Sequence, residues 1–144
     1  MKVLDGSVGF LLARAARSMK RSLETRLSTH NITASQYIVL SVLDEQDGVS
    51  LSQLGQQLYF DNPTITGIID RMERDELVER RRIADERRLI NIFLTPKSRK
   101  LLQEIHPIAE VTNHEALREL TSKQKTEFVN TLHMVWRKMN GKIN

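Results

Sequence analysis

The stretch from Ser50 to Leu94 changes its apolar periodicity repeatedly, and this constrains the fold more than any other feature of the chain. A capping box, Ser50-x-x-Gln53, opens a short helix with Leu51, Leu54 and Leu58 inward. Asp61 or Asn62 then caps a second helix running to about Asp75, whose inward stripe is Ile65, Ile68, Ile69 and Met72. Pro63 suits the first turn of that helix, where a missing N–H costs nothing. Two β-like runs follow, Leu77 to Arg82 and Leu89 to Leu94, joined by the charged, hairpin-length segment Ile83 to Arg88. Two short, tightly joined helices followed by a hairpin describe a winged helix-turn-helix.

The flanking sequence is helical. Residues 7–29 place Val8, Leu12, Ala15, Met19, Leu23 and Leu27 on one face, and this helix should stop near His30–Asn31. Thr33-x-x-Gln36 opens a helix over 33–45 that is apolar nearly all round from Tyr37 to Leu43, so it is expected to be buried, and Gly48 breaks it. Thr95-Pro96 starts another helix with Leu101, Leu102, Ile105 and Ile108 inward. Thr121-x-x-Gln124 opens the last, with Phe128, Leu132, Val135, Trp136 and Met139 as its apolar set. The fold class is therefore mainly α with a small β-hairpin wing. Residues 32–100 form the winged domain, and 1–31 with 101–144 form a helical dimerisation region, in one continuous fold.

The 144 residues include no cysteine, which excludes disulfides, thiolate metal sites and thiol redox chemistry. No apolar run approaches ~18 residues. Arginines begin directly after the short apolar patch Val8 to Ala13, so that patch does not read as a secretory signal, and a cytoplasmic location is expected. The net charge of +4 is unevenly spread: residues 31–70 hold five carboxylates and no lysine or arginine, whereas residues 71–100 hold ten basic and six acidic side chains. A partner with many phosphates suits the second segment. Contacts from the start of the second short helix should then rely on hydroxyls and backbone N–H groups.

On that helix Thr64, Gly67, Arg71 and Arg74 share the face opposite the buried stripe. Asn62, Pro63, Thr64 and Thr66 sit at its start, and Arg71 suits a phosphate or a guanine edge. Arg80, Arg81, Arg82, Arg87 and Arg88 flank the hairpin, where arginine suits a narrow minor groove, and Asp85 or Glu86 orients one of them. Phe10, Leu11, Leu117, Leu132, Trp136 and Met139 lie on apolar stripes without an obvious partner in one small domain, and are candidates for a dimer seam.

The segment LSQLGQQLYFDNPTITGIIDRMERDELVERRRIADERRLINIFLT, Leu51 to Thr95, resembles the MarR family of bacterial winged-helix regulators. Leu54 to Arg80 follow the family's short helix, its Thr-rich recognition-helix start and its "DR-M-E---L--R" continuation. An acidic–arginine pair then precedes Leu94-Thr95, falling on Asp85-Glu86-Arg87 or on Glu86 with Arg88. The resemblance implies a homodimer that binds double-stranded DNA at a pseudo-palindromic operator, acts as a repressor, and is released by a small anionic or aromatic effector. That effector would lie between the dimer helices and the winged domain, where Arg14, Arg17 and Tyr37 are the candidates. A winged-helix module that binds protein instead of DNA is the alternative. A metal-responsive regulator is a further one, because His106, Glu110 and His114 fall at i, i+4 and i+8. Pro107 interrupts that row, so no metal or other cofactor is expected. No phosphate-cradling glycine loop, complete metal motif or nucleophile–base pattern is present, so the chain is not read as an enzyme.

Overall fold

The computed structural model describes residues 3–83 and 89–141. Asp85, Glu86, Arg87 and Arg88 of the wing lie outside the described residues. After a 3-10 turn at Val3–Gly6, Ser7 caps helix α1 (Val8–Leu27). A second 3-10 turn, Ser28–His30, ends it in a left-handed Asn31, at the expected stop. The Thr33/Gln36 box opens α2 (Ala34–Glu45). Strand β1 (Val49–Ser50) runs straight into α3 (Leu51–Leu58), whose N-cap is Ser50 in a full capping box. Left-handed Tyr59 ends α3, and Asp61 caps α4 (Asn62–Arg74), settling the choice between Asp61 and Asn62. Strands β2 (Val78–Arg82) and β3 (Ile90–Leu94) follow. Then come α5 (Pro96–Ala116), which runs through Pro107, and α6 (Ser122–Asn140), opened by the Thr121/Gln124 box. Thr95 and Ser98 form a further capping box that the sequence reading did not name.

The hairpin expected from the two β-like runs is present, but it belongs to a three-stranded antiparallel sheet in the order β1-β3-β2. Val49 pairs with Ile92 and Ser50 with Asn91, while β2 pairs along its length, from Val78↔Leu94 to Arg82↔Ile90. A two-residue strand that ends at a helix cap is too short to display a period of two, which is why the sequence did not reveal it. Side chains hold β1 in place. The Leu94 amide donates to Asp47 Oδ1 at 2.9 Å, and Arg99 of α5 pairs with Asp47 Oδ2 at 2.5 Å.

The core is built by Leu27, α2 (Val39, Leu40, Leu43), α3 (Leu54), α4 (Ile65, Ile69, Met72), the sheet (Val49, Val78, Ile92, Leu94) and the first half of α5 (Leu102, Ile105). Helix α1 buries only Leu27, and α6 buries nothing within the chain. The expectation that α2 is buried all round is corrected at Ile38, which is 45% exposed and faces a crevice described below.

Gly48 adopts φ +75°, and a Cβ there would stand 2.7 Å from the Phe93 ring, itself stacked under Arg81. Gly48→Ala is expected to cost about 1–3 kcal/mol through backbone strain and the displaced ring. Thermal unfolding measures this, and an unchanged melting temperature would refute it.

Candidate nucleic-acid interface

Helix α4 is divided lengthwise by its sequence. Ile65, Ile68, Ile69 and Met72 face the core, while Pro63, Thr64, Asp70, Arg71 and Arg74 are exposed on the other side. Asp61 fixes the helix start by accepting the Thr64 amide at 2.8 Å. The Thr64 hydroxyl and amide hold its carboxyl below the usual carboxylate range, so the cap persists at neutral pH. Gly67 is half-buried, and Arg71 lies back along the helix with Nε donating to the Gly67 carbonyl at 3.2 Å. Among the described residues, a Cβ on Gly67 would meet only that guanidinium, at 3.6 Å, so none of them requires glycine there. Thr66 points elsewhere, into a crevice it shares with Asn62, Ser50 and Ser52 at the start of α3 and with Leu89 and Ile90 at the wing root. Ser52 was not singled out from the sequence, because a serine in a first helical turn carries no distinguishing pattern.

The wing is tied to α4 by Arg80. Its guanidinium pairs with Asp70 at 2.6 Å and Glu73 at 2.9 Å, and its backbone amide donates to Glu73 at 3.1 Å. Partial burial acts to lower its pKa, but hydrogen bonds to, and the charges of, Asp70 and Glu73 outweigh it and raise the value. Arg80 is thus a strut between β2 and α4, a role that the sequence, which places it among the wing residues facing a partner, did not reveal. The strut is invisible in the sequence because of spacing: Asp70 and Glu73 lie seven or more residues away, across a turn. Arg81 pairs with Glu79 at 2.8 Å and stacks over Phe93 on the outer face of the sheet. Arg82 is exposed at the end of β2, and Arg74 lies 3.7 Å from Asp75.

A second site lies where α1, α2 and α5 meet. Two crevices share Lys20, Leu23 and Tyr37. The first, of about 140 Å³, adds Met19, Ala109, Glu110, Thr112 and Asn113, and the second, of about 380 Å³, adds Ala34, Ser35, Ile38 and Phe60. Tyr37 lines both crevices with Lys20, whereas Arg14 and Arg17, grouped with Tyr37 from the sequence, line neither. Arg14 instead stacks over the Phe10 ring, one turn earlier on α1. Burial pushes the Tyr37 phenol upward, a Ser41 hydrogen bond draws it partly back, and the Glu110 charge raises it further, so it stays protonated. Its Oη lies 2.8 Å from His106 Nδ1. His106, Glu110 and His114 do share α5, but His106 is engaged with Tyr37 and, at 3.5 Å, with Asp44. No group of three or more metal-ligating side chains occurs among the described residues.

The terminal helices hold the third surface. Leu11, Trp136 and Met139 are exposed, and Phe10, Leu117 and Leu132 are half-buried. The Trp136 ring meets Tyr59, at the α3–α4 turn, edge to face at 6.4 Å. Among the described residues, no helix is long and apolar enough to cross a membrane.

A short helix pair, with the second helix exposing a polar face beside an anchored β-hairpin, defines a winged helix-turn-helix protein. Residues 32–90 match the model of the MarR family. The chain is 37% identical over 98 residues to the HTH-type transcriptional regulator TtmR of Methylorubrum extorquens, covering 68% of this chain and 50% of that protein. It is 35% identical to the organic hydroperoxide resistance transcriptional regulator of Bacillus subtilis, covering 64% and 63%. The chain thus spans half to under two thirds of the length of these relatives. Among solved structures, Bordetella bronchiseptica BpsR, described in terms of the regulation of its DNA binding by 6-hydroxynicotinic acid, superposes with a TM-score of 0.85 at 26% identity, covering 94% of this chain and 96% of that one. The match places residues 32–90 of the chain in the MarR family. The relatives' names are those of transcriptional regulators and not of enzymes.

Proposed function

We propose that this protein is a dimeric, sequence-specific DNA-binding repressor released by a small effector. The observation that carries this reading is the rigid pairing of the exposed α4 face with the wing through Arg80, Asp70 and Glu73. A reading helix locked to a basic hairpin matches a major groove and the adjoining minor groove or backbone. In this reading residues 32–100 read DNA, and 1–31 with 101–144 pair two copies. Thr64, Arg71 and the backbone freed by Gly67 contact bases and phosphates. Arg82 and the wing residues Arg87 and Arg88 contact phosphates or the minor groove. The regulated DNA binding of BpsR supports the same assignment.

The effector site is the Tyr37 crevice. Its larger arm falls in the range of small-molecule pockets. Leu23, Ile38 and Phe60 offer apolar walls to a ring, and Lys20 offers a cation to an acid group. An aromatic acid such as 6-hydroxynicotinate fits this chemistry. A response through a cysteine thiol, whatever the peroxide-resistance relative uses, is excluded by composition.

Selection of bound duplexes from a random pool should return a pseudo-palindrome. If about 8 phosphates are neutralised per dimer, the log–log dependence of affinity on salt should have a slope near −7. No binding to any duplex at low salt would overturn the reading and favour a protein partner for α4.

A further inference from the structure

The ring of His106 on α5 stands between two residues of α2 that are seven positions apart, and so two helical turns or about 10 Å along one face. Its Nδ1 lies 2.8 Å from the Tyr37 hydroxyl and its Nε2 lies 3.5 Å from Asp44 Oδ2. The Tyr37 and His106 rings meet edge to face, with centroids 5.6 Å apart and planes at 84°. With the ring hydrogen on Nε2, facing the Asp44 carboxylate, the Nδ1 lone pair accepts the Tyr37 O–H. Both ring nitrogens are thus engaged by α2, and sliding or rolling α5 along α2 breaks at least one of these contacts.

The two helices it joins have different duties. Helix α2 packs against α3 and α4, which carry the candidate DNA face, whereas α5 leads into α6 and packs against α1. The spacing of two α4 helices in a dimer depends on the register between α2 and α5. Tyr37 also lines both arms of the effector crevice. An occupant that takes the Tyr37 hydroxyl as its own hydrogen-bond partner competes directly with His106.

We infer that His106 is a positioning residue that clamps α2 to α5 through Tyr37 and Asp44, and that effectors act by withdrawing Tyr37 from it. The inference rests on the reading of the crevice as an effector site, but the clamp itself is testable without an effector. Lys20, Leu23, Ile38 and Phe60 line the larger crevice beside Tyr37 and supply most of the binding surface without belonging to the clamp, so effector binding and effector response become separable.

The experiment uses the full-length protein, its selected operator and 6-hydroxynicotinate as the probe. His106→Phe keeps the edge-to-face ring contact and removes both polar ones. His106→Asn keeps an acceptor where Nδ1 stood, and His106→Gln keeps a donor towards Asp44. Three results are expected. His106→Phe and Tyr37→Phe each weaken operator binding without effector about tenfold, and the double variant is no weaker than either, as a shared contact requires. His106→Phe binds the probe at least as tightly as the wild type, because the competitor for the Tyr37 hydroxyl is gone, yet needs at least tenfold more probe to release the operator. His106→Asn restores most of both properties. A general loss of stability would be additive and would not be rescued by asparagine.

Wild-type operator affinity and wild-type release in a folded His106→Phe protein would overturn the clamp and leave the effector site standing. If the wild type ignores the probe while the effector-free, non-additive loss is seen, the crevice reading falls and the clamp stands. Faster amide exchange in α2 and α5 of His106→Phe, reversed in His106→Asn, reads the clamp with neither DNA nor probe, and unchanged exchange counts against it.

Discussion

Replacing Arg80 by alanine should lower operator affinity about 10–100-fold, even though this arginine contacts no DNA in the arrangement argued above. Its side chain is 20% exposed, and the guanidinium closes on Asp70 and Glu73, both on the reading helix. Removing it has two effects. The wing loses its polar tie to α4, and two carboxylates are left uncovered on a surface that must approach phosphates. A unit charge about 8 Å from a phosphate, at an effective dielectric constant near 20, interacts by about 2 kcal/mol before screening and by about 1 kcal/mol after it. Two such repulsions account for roughly the stated loss, since each ~1.4 kcal/mol is tenfold. Neutralising both carboxylates should therefore rescue binding. Asp70→Asn with Glu73→Gln, added to Arg80→Ala, should recover most of the affinity. A residue that itself grips a phosphate would not be rescued in this way, and its loss would reduce the salt slope by about one. Titration of the operator at several salt concentrations separates the two. An unrescued triple variant with a reduced slope would return Arg80 to the set of DNA contacts.

Arg80 also shows where the sequence stops being legible. The helices were readable because each announces itself locally: Thr33/Gln36, Ser50/Gln53 and Thr121/Gln124 are capping boxes, and all three occur where expected. The buried stripe of α4 and the hairpin were readable from period alone. What could not be read depends on residues far apart in the chain. Strand β1 exists because Ile92 and Asn91 pair with it and Asp47 ties it to β3. Arg80 looks like any other member of an arginine run until α4 brings Asp70 and Glu73 to it. His106 read as one end of a possible metal row along α5, yet its neighbours that matter, Tyr37 and Asp44, are on α2. Ile38 read as core because its helix is apolar, and it is exposed because the elements around it leave a crevice. Periodicity reports which face a side chain occupies, and only the assembled fold reports what stands opposite.

The largest single loss is expected from α6. Val135→Asp with Met139→Asp should convert a dimer to a monomer and lower operator affinity by about 10³-fold. Helix α6 has no buried residue within the chain, and Met134, Trp136 and Met139 are 62%, 52% and 73% exposed. Helix α1 likewise leaves Val8, Leu11 and Leu12 outside. A monomer rarely presents so many apolar side chains on its first and last helices unless something covers them, and a second copy of the same face is the simplest cover for a protein proposed to read a palindrome. Linking two reading heads makes the second contact intramolecular, which strengthens overall binding by 10²–10⁴-fold without any new contact, and a monomer forfeits that factor. The core should survive the substitutions, because its members run from Leu27 to Ile105 and include nothing from α6. Sedimentation, circular dichroism and operator titration on one sample therefore give a sharp pattern: half the mass, most of the helix content, and a thousandfold weaker complex whose salt slope is halved because one head's phosphates are no longer neutralised. A variant that remains dimeric and binds like the wild type would place the seam elsewhere on the chain.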